Sequence, residues 1–195
     1  MKLKRLFAFI IDSLLVSLIA SLFFTLPMFN KDMELNREAS NEFIELISST
    51  GSEVLDQEKL NHISYKLNYS SRITNIVEIA LTLVYFGIIQ FATGGITLGK
   101  KLMKIKIEPE KGKELNAGFM FLRSVILYNI IFKLISTIGF IVCKENLALK
   151  INSYTNYLTL IMELIIIGTI IFRDDERGLH DLITNTKVVD TKKEK

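Results

Sequence analysis

Apolar residues gather into four long runs, residues 6–29, 73–98, 124–143 and 154–172, of 24, 26, 20 and 19 residues. Asp12, Glu78, Lys133 and Glu163 are the only charges inside them. A hydrocarbon core of about 30 Å takes about 20 residues of helix. In lipid every backbone group must be satisfied within its own segment, so each run predicts a membrane-spanning helix. Ile and Val are common in the runs, but strands of such length are rare. The first run follows Lys2, Lys4 and Arg5, as the core of a signal peptide would. It far exceeds the roughly 7–15 apolar residues of that segment and contains Asp12, so it reads as a retained helix.

The polar stretches carry weaker patterns. In 30–72, Phe43, Ile44, Leu46 and Ile47 form one apolar cluster, and Leu60, Ile63 and Leu67 fall on one helix face. Thr50, Gly51 and Ser52 separate the two, with Ser52 a candidate N-cap. A helical hairpin results; the alternative is a loop with transient helix. In the basic stretch 99–123, Ile105 and Ile107 alternate with Lys104 and Lys106 as in a short strand. Pro109, Glu110, Lys111 and Gly112 supply turn residues. Thr186-Lys187-Val188-Val189 suits a second strand, and the two can pair beneath the membrane. The alternative is a solvated basic face, Lys100–Lys106, near anionic headgroups.

Composition hides this division. With 49% apolar and 23% charged residues the averages match an ordinary soluble domain. They exclude a disordered chain. One cysteine, Cys143, excludes a disulfide framework or thiolate zinc site and reads as packing at a helix end. A net charge of +3 gives no ground for nucleic-acid binding. The distribution of charge is more informative. With the N-terminus inside, the inner segments hold 16 Lys and Arg and the outer ones 7, over equal lengths. The positive-inside rule then places both termini in the cytoplasm and 30–72 outside. The expected architecture is an all-α membrane protein: four transmembrane helices in a single domain, 1–195, with an extracytoplasmic helical segment and a small cytoplasmic two-stranded element. Asn68-Tyr69-Ser70 matches a glycosylation acceptor, a tripeptide common by chance.

Several groups are candidates for chemistry. Gly94-Gly95-Ile96-Thr97-Leu98-Gly99-Lys100-Lys101 imitates a phosphate loop, but Lys101 replaces the Ser or Thr and a membrane helix precedes it, so nucleotide binding is rejected. The glycines let the chain leave the bilayer and turn. Charges within lipid are costly and usually find partners. Lys133 lies ten residues after Arg123 and Glu163 ten before Arg173. At 1.5 Å per residue both reach the midplane, which predicts a Lys133–Glu163 ion pair, either on an ion path or as a bundle register. Glu78 lies nearer the outer end of its helix. Arg5 and Asp12, two turns apart, share a helix face about 10 Å apart. A titrating carboxyl at that depth suits proton or cation handling; the alternative is a structural carboxyl anchored by Arg5 or a basic tail residue. Asp174, Asp175, Glu176, His180 and Asp181 lack metal-ligand spacing, so no metal or cofactor is expected. His180 has no general-base partner and no nucleophile pattern is present, so enzymatic activity is not expected.

Three blocks together resemble the RDD family of small membrane proteins. They are Arg5-Leu6-Phe7-Ala8-Phe9-Ile10-Ile11-Asp12; Gly95-x-Thr97-x-Gly99-Lys100 with Leu102 and the Ile105/Ile107 strand; and Arg177-Gly178-Leu179-His180-Asp181 followed by Thr186-x-Val188-Val189. The family's eponymous Arg and two Asp map onto Arg5, Asp12 and Asp181. The long segment 30–72 departs from the family pattern. The resemblance implies a role in transport, with sodium–proton exchange linked to some members. On that reading Asp12 binds the proton or cation, and Arg5 and Asp181 set its electrostatics. Four helices enclose little volume, so a pathway calls for a homo-oligomer, in a bacterial plasma membrane. The competing expectation is a non-transporting interaction or assembly module that binds a protein partner through 30–72.

Overall fold

The computed structural model describes residues 1–50, 56–110 and 113–191. Helix α1 (Lys2–Phe24) buries Ala8, Asp12, Val16 and Ala20, a stripe at four-residue spacing. Leu14, Leu18 and Leu22 on its other side are exposed. Small residues on the inner stripe let neighbouring backbones come close, and the leucines suit lipid.

Helices α2 (Asn30–Thr50) and α3 (Gln57–Ser70) form a hairpin. Ala39, Leu46 and Ile63 are buried in it, while Phe43, Ile44 and Ile47 remain exposed. Lys66–Glu42, at 2.8 Å, ties it together, and Arg72–Asp32, also at 2.8 Å, ties α2 to the residue that starts the next helix. The N-cap of α3 is Asp56, whose carboxylate accepts from the backbone N–H groups of Glu58 and Lys59. The expected break at Gly51 and cap at Ser52 lie outside the described residues, as do Lys111 and Gly112 of the expected turn. Asn68 sits inside α3 and donates to Ser64 O at 2.8 Å.

The second apolar run is a helix from Arg72 to Ala92. Its parts are α4 (Arg72–Leu83), a π turn at Val84–Ile89 and α5 (Gln90–Ala92). The chain then turns through Gly94 (φ +67°) and Gly95 (φ +87°), a left-handed conformation that favours glycine. A Cβ on Gly95 would also lie 2.2 Å from Ile107 O. Helix α6 (Leu98–Met103) follows, and strand β1 (Ile105–Pro109) pairs antiparallel with β2 (Thr186–Asp190). Ile105 faces Asp190 and Ile107 faces Val188. The two-stranded element is therefore present, and Ile105, Ile107 and Val188 pack with Ala8 and Met120.

The third run is two helices, α7 (Ala117–Leu127) and α8 (Ile130–Val142), bent by 64° where Asn129 adopts φ +50°. Helix α9 (Glu145–Phe172) starts well before the apolar run at Tyr154. The described residues thus include three helices long and apolar enough to cross a membrane, or four if the bent pair is one span. Short helix α10 (Leu179–Ile183) folds back under them. The start of α1, the end of α9, α10 and the strands share one end of the molecule, since Lys2 donates to Ile171 O and Lys4 pairs with Asp190. Lys2, Lys4, Arg5, Lys100 and Arg123 gather there and make it the basic end of the molecule.

Candidate functional site

Arg5, Asp12 and Asp181 fall in two adjoining sites at the basic end. The first surrounds Asp12, which is 0% exposed. Its Oδ1 accepts from Tyr85 Oη at 2.8 Å and from the Gly99 backbone N–H at 2.7 Å. Its Oδ2 accepts from Thr97 Oγ1 at 2.5 Å, and Lys100 Nζ stands 4.0 Å away. Each partner has a local cause. The π turn swings Tyr85 inward, where its hydroxyl also accepts from Leu98 N at 2.9 Å. Thr97 caps α6. Gly99 admits the carboxylate because a Cβ there would lie 2.4 Å from Ala8 O and 2.9 Å from Asp12 Cγ. Lys100 also reaches Thr97 Oγ1 at 3.3 Å. With the Gln90 amide oriented to suit its neighbours, Gln90 accepts from Lys100 Nζ at 2.7 Å and donates to Phe86 O at 3.1 Å. Burial, with Arg123 adding to it and Asp12 opposing, brings Lys100 down to about 7.

The second site surrounds Asp181, also 0% exposed. Arg5 and Arg123 each pair with one of its carboxylate oxygens, and Gly178 N donates to Oδ2 at 3.1 Å. Arg123 further donates to Thr186 Oγ1 at 3.3 Å, and Arg5 to Glu176 O. Burial pushes Asp181 up, but Arg123 foremost, aided by Arg5, holds it below the usual carboxylate range. His180 Nε2 lies 3.5 Å from Asp181 Oδ2, while its buried Nδ1 has no partner among the described residues. Burial, then Arg123, draws His180 down to about 3, so it is neutral near pH 7. Arg177 bonds Asp175 at 2.8 Å and also pairs with Glu110, which ties α10's approach to the β1 side.

Beside both sites lies a cavity of about 490 Å³. Arg5, Lys100, Arg123 and His180 line it together with apolar residues of α1 and α9 such as Leu6, Ile166 and Ile170. Glu163 lines it too, exposed and without a polar partner among the described residues.

Two expected pairings are replaced. Lys133 pairs with Glu78 at 3.0 Å, not with Glu163. The depth count from Arg123 assumed a straight helix, and the 64° bend redirects α8. Arg5 does not anchor Asp12. Side chains on a helix lean toward its N-terminus, and Arg5 turns that way to Asp181. Three participants escaped the sequence reading. In the sequence Arg123 marks only the boundary of an apolar run, and Tyr85 and Gln90 are uncharged. The signal available for these two was polar side chains inside an apolar run.

The RDD family profile matches residues 2–185, nearly the whole chain. The chain belongs to the RDD family. No curated protein and no solved structure matches it. In this RDD protein Arg5 and Asp181 form one ion pair, and Asp12 is held separately through Thr97, Gly99 and Lys100. Among the described residues no three or more His, Cys, Asp or Glu gather as a metal site.

Proposed function

We propose that this RDD protein is a small, non-enzymatic ion carrier that exchanges a proton for a monovalent cation at Lys100 and Asp12. The observation that carries this reading is the position of Lys100, which belongs both to the Asp12 cage and to the cavity wall. Its lowered proton affinity makes it change charge near neutral pH. When Lys100 is protonated, its ammonium balances Asp12. When the proton leaves through the cavity, the carboxylate loses that balance and a cation entering the cavity restores it. Glu163, on the cavity wall and without a polar partner among the described residues, offers a further oxygen site on the way. The reading places both termini in the cytoplasm of a bacterial plasma membrane and invokes a homo-oligomer to complete the path. The test is cation-driven proton flux in proteoliposomes, with wild type compared to Asp12→Asn. Flux in wild type and its loss in the variant are expected. No flux across several cations in a properly folded wild type would overturn the reading.

A specific observation favours a second reading, a non-transporting membrane module. Both aspartates are fully buried and fully partnered, as in a structural lock. The exposed Phe43, Ile44 and Ile47 of the α2–α3 hairpin would then meet a protein partner.

A further inference from the structure

The cavity lining combines two unlike sets of residues. One is cationic, built from Arg5, Lys100 and Arg123. The other is hydrocarbon, with Leu6 and Ile167 both lining it and remaining more than half exposed. Those two residues belong to helices apolar enough to span a membrane, so this wall continues into the lipid-facing surface. The volume of about 490 Å³ falls in the range of ligand sites.

The cationic wall retains capacity. A guanidinium has five N–H donors. Arg123 commits NH1 to Asp181 and Thr186, and its Nε and NH2 have no protein partner among the described residues. Arg5 uses NH1 and NH2 and keeps Nε. The charges also leave a surplus. Lys2, Arg5, Lys100 and Arg123 line the cavity with Glu163, and Asp12 and Asp181 stand behind the wall. Four cations thus face three carboxylates. Glu163 lies eight residues before Ile171, whose carbonyl accepts from Lys2, and so roughly 12 Å from it along α9.

We propose that this cavity binds one anionic membrane lipid, its phosphate on Arg5, Lys100 and Arg123 and an acyl chain along Leu6, Ile167 and Ile170. Basic pockets between spanning helices on the cytoplasmic side suit anionic lipid headgroups. Arginine's forked donors suit phosphate oxygens, and the apolar wall excludes a small hydrophilic anion as the preferred occupant. The inference goes beyond ion exchange and stands without it, because lipid binding is read in the absence of any flux.

The test is native mass spectrometry of the full chain in detergent, titrated with phosphatidylglycerol or phosphatidylcholine of identical acyl chains. Glycerol phosphate serves as the headgroup alone. Phosphatidylglycerol is expected to bind about tenfold tighter than phosphatidylcholine, and millimolar glycerol phosphate to leave it bound. Ile167→Trp, which fills the apolar wall without touching an ion pair, should weaken phosphatidylglycerol about tenfold. Equal affinity for the two lipids overturns the proposal, as does unchanged binding by folded Ile167→Trp. Full displacement by glycerol phosphate overturns it in favour of a free-phosphate site. Should Ile167→Trp fail to fold, Leu6→Trp on the facing helix and the wild-type lipid preference decide the matter.

Discussion

Lys100 holds its ammonium 4.0 Å from Asp12 Oδ2, both side chains nearly closed to solvent. The carboxylate supports the charged form, whereas burial and Arg123 oppose it. Removing the carboxylate charge in Asp12→Asn should therefore lower Lys100 further below about 7. A titration of isotope-labelled lysine by NMR checks this. A midpoint that does not move between wild type and Asp12→Asn would mean that the two groups are not coupled.

Asp181 clamps α10 to α1 and α7 through Arg5 and Arg123. Asp181→Ala leaves two buried guanidiniums unpaired, and losing one partner of a buried pair costs about 3–5 kcal/mol. Thermal unfolding in detergent should show a marked fall in Tm. A variant as stable as wild type would show that the clamp contributes nothing.

Acid should loosen the same region. His180 binds a proton near 6.5 when unfolded and near 3 when folded, so its contribution is complete above pH 6.5 and declines from there toward 3. Asp181, held below the usual carboxylate range, contributes stability above pH 3.8 that is lost as pH falls further. Stability should thus fall with pH from 6.5 downward, and His180→Leu should flatten the part between 6.5 and 4. An unchanged slope in that variant would assign the acid sensitivity elsewhere.

Gly99 has no room for a side chain. A Cβ at 2.4 Å from Ala8 O must push α6 away from α1 and loosen Asp12. Gly99→Ala should destabilise by about 1–3 kcal/mol, the usual cost of overpacking. The same substitution at Gly94, where nothing lies within 4 Å, meets only the strain of its φ of +67°. Unfolding curves for the two variants separate close contact from backbone strain. Equal losses would show that contact with Asp12 is not what requires Gly99.

The revised pairing of Lys133 is open to a double-mutant cycle. Lys133 with Glu78 should show coupling of about 0.6 kcal/mol, typical of polar pairs between membrane helices, and Lys133 with Glu163 none. The reverse result would restore the midplane pair.

Much of this architecture was legible in the sequence because lipid imposes coarse rules. Long runs with a single charge each marked the apolar helices, and the alternation of Ile105 and Ile107 marked β1. The approach of Thr97 and Gly99 to Asp12 was not legible, because the contact joins residues more than 80 positions apart. The bend at Asn129 was equally hidden. Nothing in 124–143 breaks the apolar run, so a depth count along a straight helix put Lys133 beside Glu163. Arg123 was overlooked because a cation at the end of an apolar run reads as a boundary, although here it is buried against Asp181.

The central claim is that Lys100 gives up a proton in the carrier cycle. Lys100→Arg keeps a positive charge near Asp12 but cannot deprotonate at any working pH. Proton flux in proteoliposomes, followed across pH, is the measurement. Wild type should show a transition near pH 7, and folded Lys100→Arg should show no flux at any pH. Flux in Lys100→Arg equal to that of wild type would contradict the account.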